Sequence, residues 1–199
     1  MKRHTPLLSL LLATSTWVGA AHAQPSSVQL QPGAELVIDG KSTVRDFSCR
    51  ASKLSALLAP GTPGTSLALE QLAGAVGEVQ LEVPVKALDC ANDTMNEHML
   101  EALKADKYPT IRLRVTGYEV GAVEEGLAPL KLKGELTLAG ITRPVTLVAS
   151  ARPAADGGLQ VEGRYLLKMT DWGVKPPSLM LGTMKVREAV LIRFGVALK

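Results

Sequence analysis

Beyond the first 23 residues the chain holds one histidine, His98, and two cysteines, Cys49 and Cys90. A zinc or redox-metal site of the usual kinds needs three or four ligands of such types, so this inventory predicts no metal centre. A nucleophilic arrangement through His98 would be set by geometry and not by chain order. No nucleophile-elbow pattern accompanies it, and a histidine on a helix surface is common. Glu124-Glu125 sits beside Gly126 in a polar stretch and reads as a solvated turn. No phosphate-cradling glycine loop is present. The reading is therefore no catalytic residue, no cofactor and no enzyme. The unusual chemistry is apolar. Five methionines fall in two places: Met95 and Met99 in one, and Met169, Met180 and Met184 in or beside TDWGVKPPSLMLGTM, residues 170–184. That stretch is too irregular for a strand. It carries Trp172, the one tryptophan beyond the leader.

The elements that would position these residues alternate with period two. Val79, Leu81, Val83 and Val85 are interleaved with Gln80, Glu82 and Lys86. Ile111, Leu113 and Val115 alternate with Arg112, Arg114 and Thr116, and Leu130, Leu132, Leu136 and Leu138 with Lys131, Lys133, Glu135 and Thr137. Val186, Val190, Ile192, Phe194, Val196 and Leu198 share one parity. Such alternation gives each strand one apolar and one wet face. Similar segments near 35–39, 43–52, 66–72, 76–86, 110–120, 129–138, 143–152, 158–169 and 186–198 make eight or nine strands. Gly117, Gly134, Gly163 and Gly195 punctuate them, as bulges and tight bends in a closing sheet require. Between two strands, residues 92–110 place Met95, Met99 and Leu103 at helical spacing. Thr94 and Glu97 fit a capping box there, and Pro109 stops the helix. The fold class is all-β: an antiparallel barrel, preferred over a sandwich, with one short α-helix. Lipid-facing barrels carry an apolar outer face and aromatic girdles. Here the second face is Arg, Lys, Glu and Gln, so the apolar side points inward.

Met1-Lys2-Arg3, the apolar run Pro6–Ala20 and Ala21-His22-Ala23 match the three parts of a secretory signal peptide, cut between Ala23 and Gln24. The run is short for a spanning helix of ~20 residues. Residues 1–23 are thus read as leader and 24–199 as one domain, placed in the periplasm. The 22 basic residues, less Lys2 and Arg3, leave 20 against 19 acidic ones, a balance that gives no reason to expect nucleic acid. In an oxidising compartment Cys49 and Cys90 favour a disulfide; the alternative is two buried thiols.

Methionine is flexible and polarisable, suited to irregular apolar ligands. If the helix and residues 170–184 flank one barrel end, they form an adaptable apolar mouth with Trp172 at its rim. The alternative is that they plug a small barrel, since eight strands are either filled by side chains or hold one ligand.

Four segments in order are similar to the YceI-like family of exported, lipocalin-like proteins: LVIDGKSTV at 36–44, NEHMLEALKADKYPTI at 96–111, KGELTLAGITRPVTL at 133–147 and MTDWGV at 169–174. The resemblance implies an eight-stranded antiparallel lipocalin-like barrel with a helix. It implies a non-catalytic periplasmic carrier for a long amphiphilic lipid, a polyisoprenoid or isoprenoid quinone, with that lipid as the only bound group. The alternative is a ligand-free structural or protein-interaction module, stress-related, with a filled barrel. Carried over by motif position and inward parity, the ligand contacts are Phe47, Met95, Met99, Leu103, Met169, Trp172, Leu179, Met180 and Met184. Transient membrane contact and a homodimer stay open. Where the family usually has a histidine this chain has Lys41; if that histidine supports the ligand head or its neighbours, head-group preference differs here.

Overall fold

The computed structural model describes residues 28–179 and 184–199; residues 1–23, expected as a leader, and Met180 lie outside them. The strands are β1 (Glu35–Lys41), β2 (Asp46–Ala51), β3 (Ser55–Pro60), β4 (Val76–Pro84), β5 (Leu88–Asp89), β6 (Thr110–Val120), β7 (Ala128–Leu138), β8 (Ile141–Pro153) and β9 (Leu159–Lys168). They continue with β10 (Ser178–Leu179), β11 (Met184–Lys185) and β12 (Ala189–Leu198), and one helix, α1 (Asp93–Ala102), lies between β5 and β6. Ten strands form one sheet in the order β3-β4-β6-β7-β8-β9-β12-β1-β2-β5, while β10 and β11 pair separately. All the pairings are antiparallel.

The eight-strand expectation is corrected: the sheet is a curled half-barrel of ten strands. β3 and β5 are the additions. Residues 66–72, expected as a strand, instead hold a 3-10 turn at Leu69–Gln71. Leu67, Leu69 and Leu72 imitate alternation there because all three pack toward one interior cluster. Residues 170–184, expected to contain no strand, contribute the short pair β10 and β11.

Period two does hold elsewhere, and it sorts charge outward. Arg112 and Arg114 on β6 reach across to Glu82 and Glu78 on β4, at 2.8 and 2.7 Å. Arg193 on β12 reaches Asp39 on β1 at 2.6 Å. The register of β6 on β7 slips between Val115 and Gly117, where a glycine in a strand led us to expect a bulge. Both phenylalanines lie over glycines of a paired strand. A Cβ on Gly40 would come within 2.1 Å of the Phe47 ring, and one on Gly163 within 2.3 Å of Phe194. The missing side chains give those rings their space.

Two apolar clusters occupy opposite ends of the interior. One gathers Leu69, Leu72, Val76, Ala128 and Leu159 beneath the 61–75 loop. The other gathers Leu136, Leu138, Leu167, Trp172 and Val174, with Ala102 and Leu103 of the helix packed against it.

The helix cap differs from expectation. Asn92, in extended conformation, caps α1: its side chain accepts from the Met95 N–H at 2.9 Å, and its carbonyl from Asn96 N–H at 2.9 Å. Thr94 falls inside the first turn, since Asn92 already supplies the acceptor a helix start requires. Cys49 and Cys90 are bonded, which joins β2 to the segment that enters α1.

Candidate functional site

The inward rows of the sheet do not meet. They enclose a cavity of about 440 Å³, within the ~300–1,000 Å³ typical of ligand sites. Its wall is almost entirely Leu, Val, Ile, Met and Phe from nearly every strand and from α1. At one end Leu72 and Val76 close it, and Tyr118 ties them: its hydroxyl donates to the Leu72 carbonyl at 2.6 Å and accepts from the Val76 N–H at 3.1 Å. At the other end the lining includes Arg45, Asn92 and Thr94, which are exposed, so the cavity reaches solvent beside the β1–β2 turn and α1.

Phe47, Met95, Met99, Leu103 and Met169, named from the sequence, all line this cavity. Met99 Sδ stands 3.8 Å from Cys90 Sγ, and both members of the bridge belong to the wall. Trp172 is not at the rim. It is 3 % exposed, its Nε1–H donates to the Leu136 carbonyl at 3.0 Å, and it does not line the cavity. The local turn explains the difference. Gly173 takes a left-handed φ of 65° and closes the 169–174 turn, with the Val174 N–H donating to the Met169 carbonyl at 3.1 Å. Met169 and Val174 thereby face the cavity, while the indole packs behind them among Leu136, Leu138 and Val145. Leu179 and Met184 pair through their backbones in the β10–β11 hairpin, and Met180 lies outside the described residues. Pro177 and Val186, which flank that hairpin, do line the cavity.

The polar groups of the wall are few: Ser42, Arg45, Asn92, Thr94, His98, Tyr118 and Tyr165. Burial pushes the Tyr165 phenol above its ordinary range, and the negative charge of Asp171 pushes the same way. Sequence reasoning missed Arg45 and His98 as wall residues, although both were within its reach. Arg45 shares parity with Phe47 and Cys49, and His98 lies three residues after Met95 and four before Ala102. No hydroxyl or carboxylate among the described residues is hydrogen-bonded to His98. Among the described residues no group of His, Cys, Asp or Glu could hold a metal ion.

The YceI-like domain matches residues 37–198 of the chain. Similar solved structures include BcnA of Burkholderia cenocepacia, at 16 % identity and TM-score 0.64 over 82 % of this chain and 95 % of that one. A polyisoprenoid binding domain from Saccharophagus degradans, implicated in plant cell wall breakdown, matches at 15 % identity and TM-score 0.63, over 86 % and 97 %. The Campylobacter jejuni YCEI protein matches at 16 % and 0.56, over 75 % and 82 %. No curated protein matches the chain. At these identities the structural likeness is one of fold.

Proposed function

Since the chain belongs to the YceI-like family, we propose that it is a non-catalytic carrier or sequestering protein of the periplasm for a long amphiphilic lipid, a polyisoprenoid or isoprenoid quinone. The observation that carries this reading is the open apolar cavity, which a filled interaction module would not have. The named activity of the Saccharophagus domain supports the ligand class. The bonded cysteines and the leader pattern support export. Phe47, Met95, Met99, Leu103 and Met169 are the proposed contacts. Burial of the chain would supply affinity at roughly 25 cal/mol per Å² of apolar surface, less the costs of association.

Native mass spectrometry of protein purified from its own periplasm, with lipid extraction alongside, tests the proposal. The expected spectrum shows a polypeptide beginning at Gln24 and a reproducible bound mass in the range of a prenyl lipid. A clean ligand-free mass, unchanged after exposure to quinones and polyprenols, overturns the carrier reading.

A further inference from the structure

Every strand row that faces the cavity is free of charge until it reaches the β1–β2 turn. There Arg45 continues the inward row of Phe47 and Cys49, and among the described residues it is the only Arg, Lys, Asp or Glu that lines the wall. Its neighbours in sequence are accounted for on the outer side. Lys41 pairs with Asp46 at 4.0 Å, and Arg50 pairs with Glu35. The Arg45 guanidinium has no carboxylate partner and no hydrogen bond among the described residues. Its backbone, by contrast, is held firmly. The Arg45 N–H donates to Ser42 Oγ at 3.1 Å, while the Ser42 hydroxyl and the Ser42 N–H both donate to the Arg45 carbonyl, at 2.8 and 3.1 Å. Thr94 and His98 of α1 add polar side chains to the same wall.

Resting on the carrier reading above, we propose that the ligand is an anionic amphiphile whose phosphate, pyrophosphate or carboxylate head is bound by Arg45. Arg45 is exposed at the solvent-reaching end of the wall, and an ionised donor makes its strongest hydrogen bonds to a charged acceptor. Its planar fork of N–H donors matches the oxygens of a phosphate or carboxylate two at a time. A neutral alcohol or quinone head would accept one such bond and leave the charge uncompensated. Among the described residues the wall carries no carboxylate to repel the anion. The apolar tail would then run past Phe47 and the α1 methionines toward the end closed by Leu72, and the head would stay at the solvent-reaching end.

The test uses the delipidated mature protein and two matched pairs of ligands: geranylgeraniol with its monophosphate, and hexadecanol with palmitate. Titration calorimetry on wild type, Arg45→Gln and Arg50→Gln reads the ratio of alcohol to anion dissociation constants. The wild-type ratio should be about 10 or more, the scale of one charge-assisted contact at a partly exposed site, and it should shrink with added salt. In Arg45→Gln it should fall to about one, whereas Arg50→Gln, on the outer side, should keep it. A preference in the prenyl pair alone assigns a prenyl phosphate, one in the linear pair alone assigns a fatty acid, and one in both assigns the shared anion. Equal binding of alcohol and anion, or a preference that survives Arg45→Gln, overturns the head-group assignment and leaves the carrier reading standing. Uptake of none of the four overturns both.

Discussion

Single residues in this chain do two kinds of electrostatic work. Among the described residues the one charge on the cavity wall is Arg45, at its mouth; outside, carboxylates are matched with cations across the strands. Asp39 is the best placed of these. The Arg193 hydrogen bond holds its carboxyl below the usual carboxylate range, with help from the Ser48 hydroxyl and against a smaller opposing effect of burial. A carboxyl depressed in the folded state stabilises the fold above its unfolded value, ~3.9 for Asp. That contribution is lost as pH falls through the folded value. Urea midpoints for wild type should therefore drop below about pH 4, and Asp39→Asn should show a shallower drop, the difference being at most ~1 kcal/mol for so exposed a pair. An Asp39→Asn curve as steep as wild type would assign the acid sensitivity to other carboxylates. Trp172 illustrates the opposite kind of residue. Its motif was legible, but the direction of its ring depended on the left-handed Gly173 beside it, and no spacing rule shows which side of a turn an indole will take.

Among elements, strands with charged outer rows were readable and strands without them were not. The β3 segment, Ser-Ala-Leu-Leu-Ala-Pro, sets two leucines side by side and so breaks alternation, and within the sheet it pairs with β4 alone. Leu57 there is 71 % exposed while Leu58 lines the cavity. β5 is two residues long and carries no periodicity, yet it decides how the sheet curls back. It follows β4 after one turn and pairs with β2 through only Arg50–Asp89 and Ala51–Leu88. The disulfide spans the same seam, between residues 41 apart in sequence. Loop closure of that length constrains the unfolded chain by about 4 kcal/mol. Reduction, or the double change Cys49→Ala with Cys90→Ala, should lower the guanidinium midpoint by an amount approaching that figure. Because Cys49 and Cys90 belong to the wall, it should also weaken retention of bound lipid. An unchanged midpoint would mean that the two-residue pairing closes the seam unaided.

Across the whole molecule, the two apolar clusters leave unfilled space between them. Space of that kind forfeits the contacts a packed interior would make. A ligand that restores them binds the folded chain and not the unfolded one, adding about 2.7 kcal/mol when present at 100 times its dissociation constant. For a domain of this size that raises the melting temperature by roughly 5–10 °C. Differential scanning calorimetry of loaded and extracted protein should show the gap. Coincident transitions would point to an interior that collapses when empty. The charged outer face, stitched by pairs such as Glu78–Arg114 and Asp39–Arg193, is independent of cargo and should leave the heat-capacity change little altered.

What the sequence by itself determined is local and periodic. Alternation told which side of β4, β6, β7, β8 and β12 is apolar, helical spacing brought Met95, Met99 and Leu103 to one face, and parity already put Arg45 in line with Phe47. Four ordered motifs pointed to the family. Tertiary structure alone decided that the inward rows stand apart and enclose a cavity, that β5 meets β2, that Trp172 packs behind the wall, and that Arg45 stands at the mouth of the cavity. The physical reason is range. Side-chain alternation is a property of neighbouring residues, whereas closure depends on pairings between distant ones, such as β1 with β12, where Asp39 and Arg193 meet across 154 residues of chain.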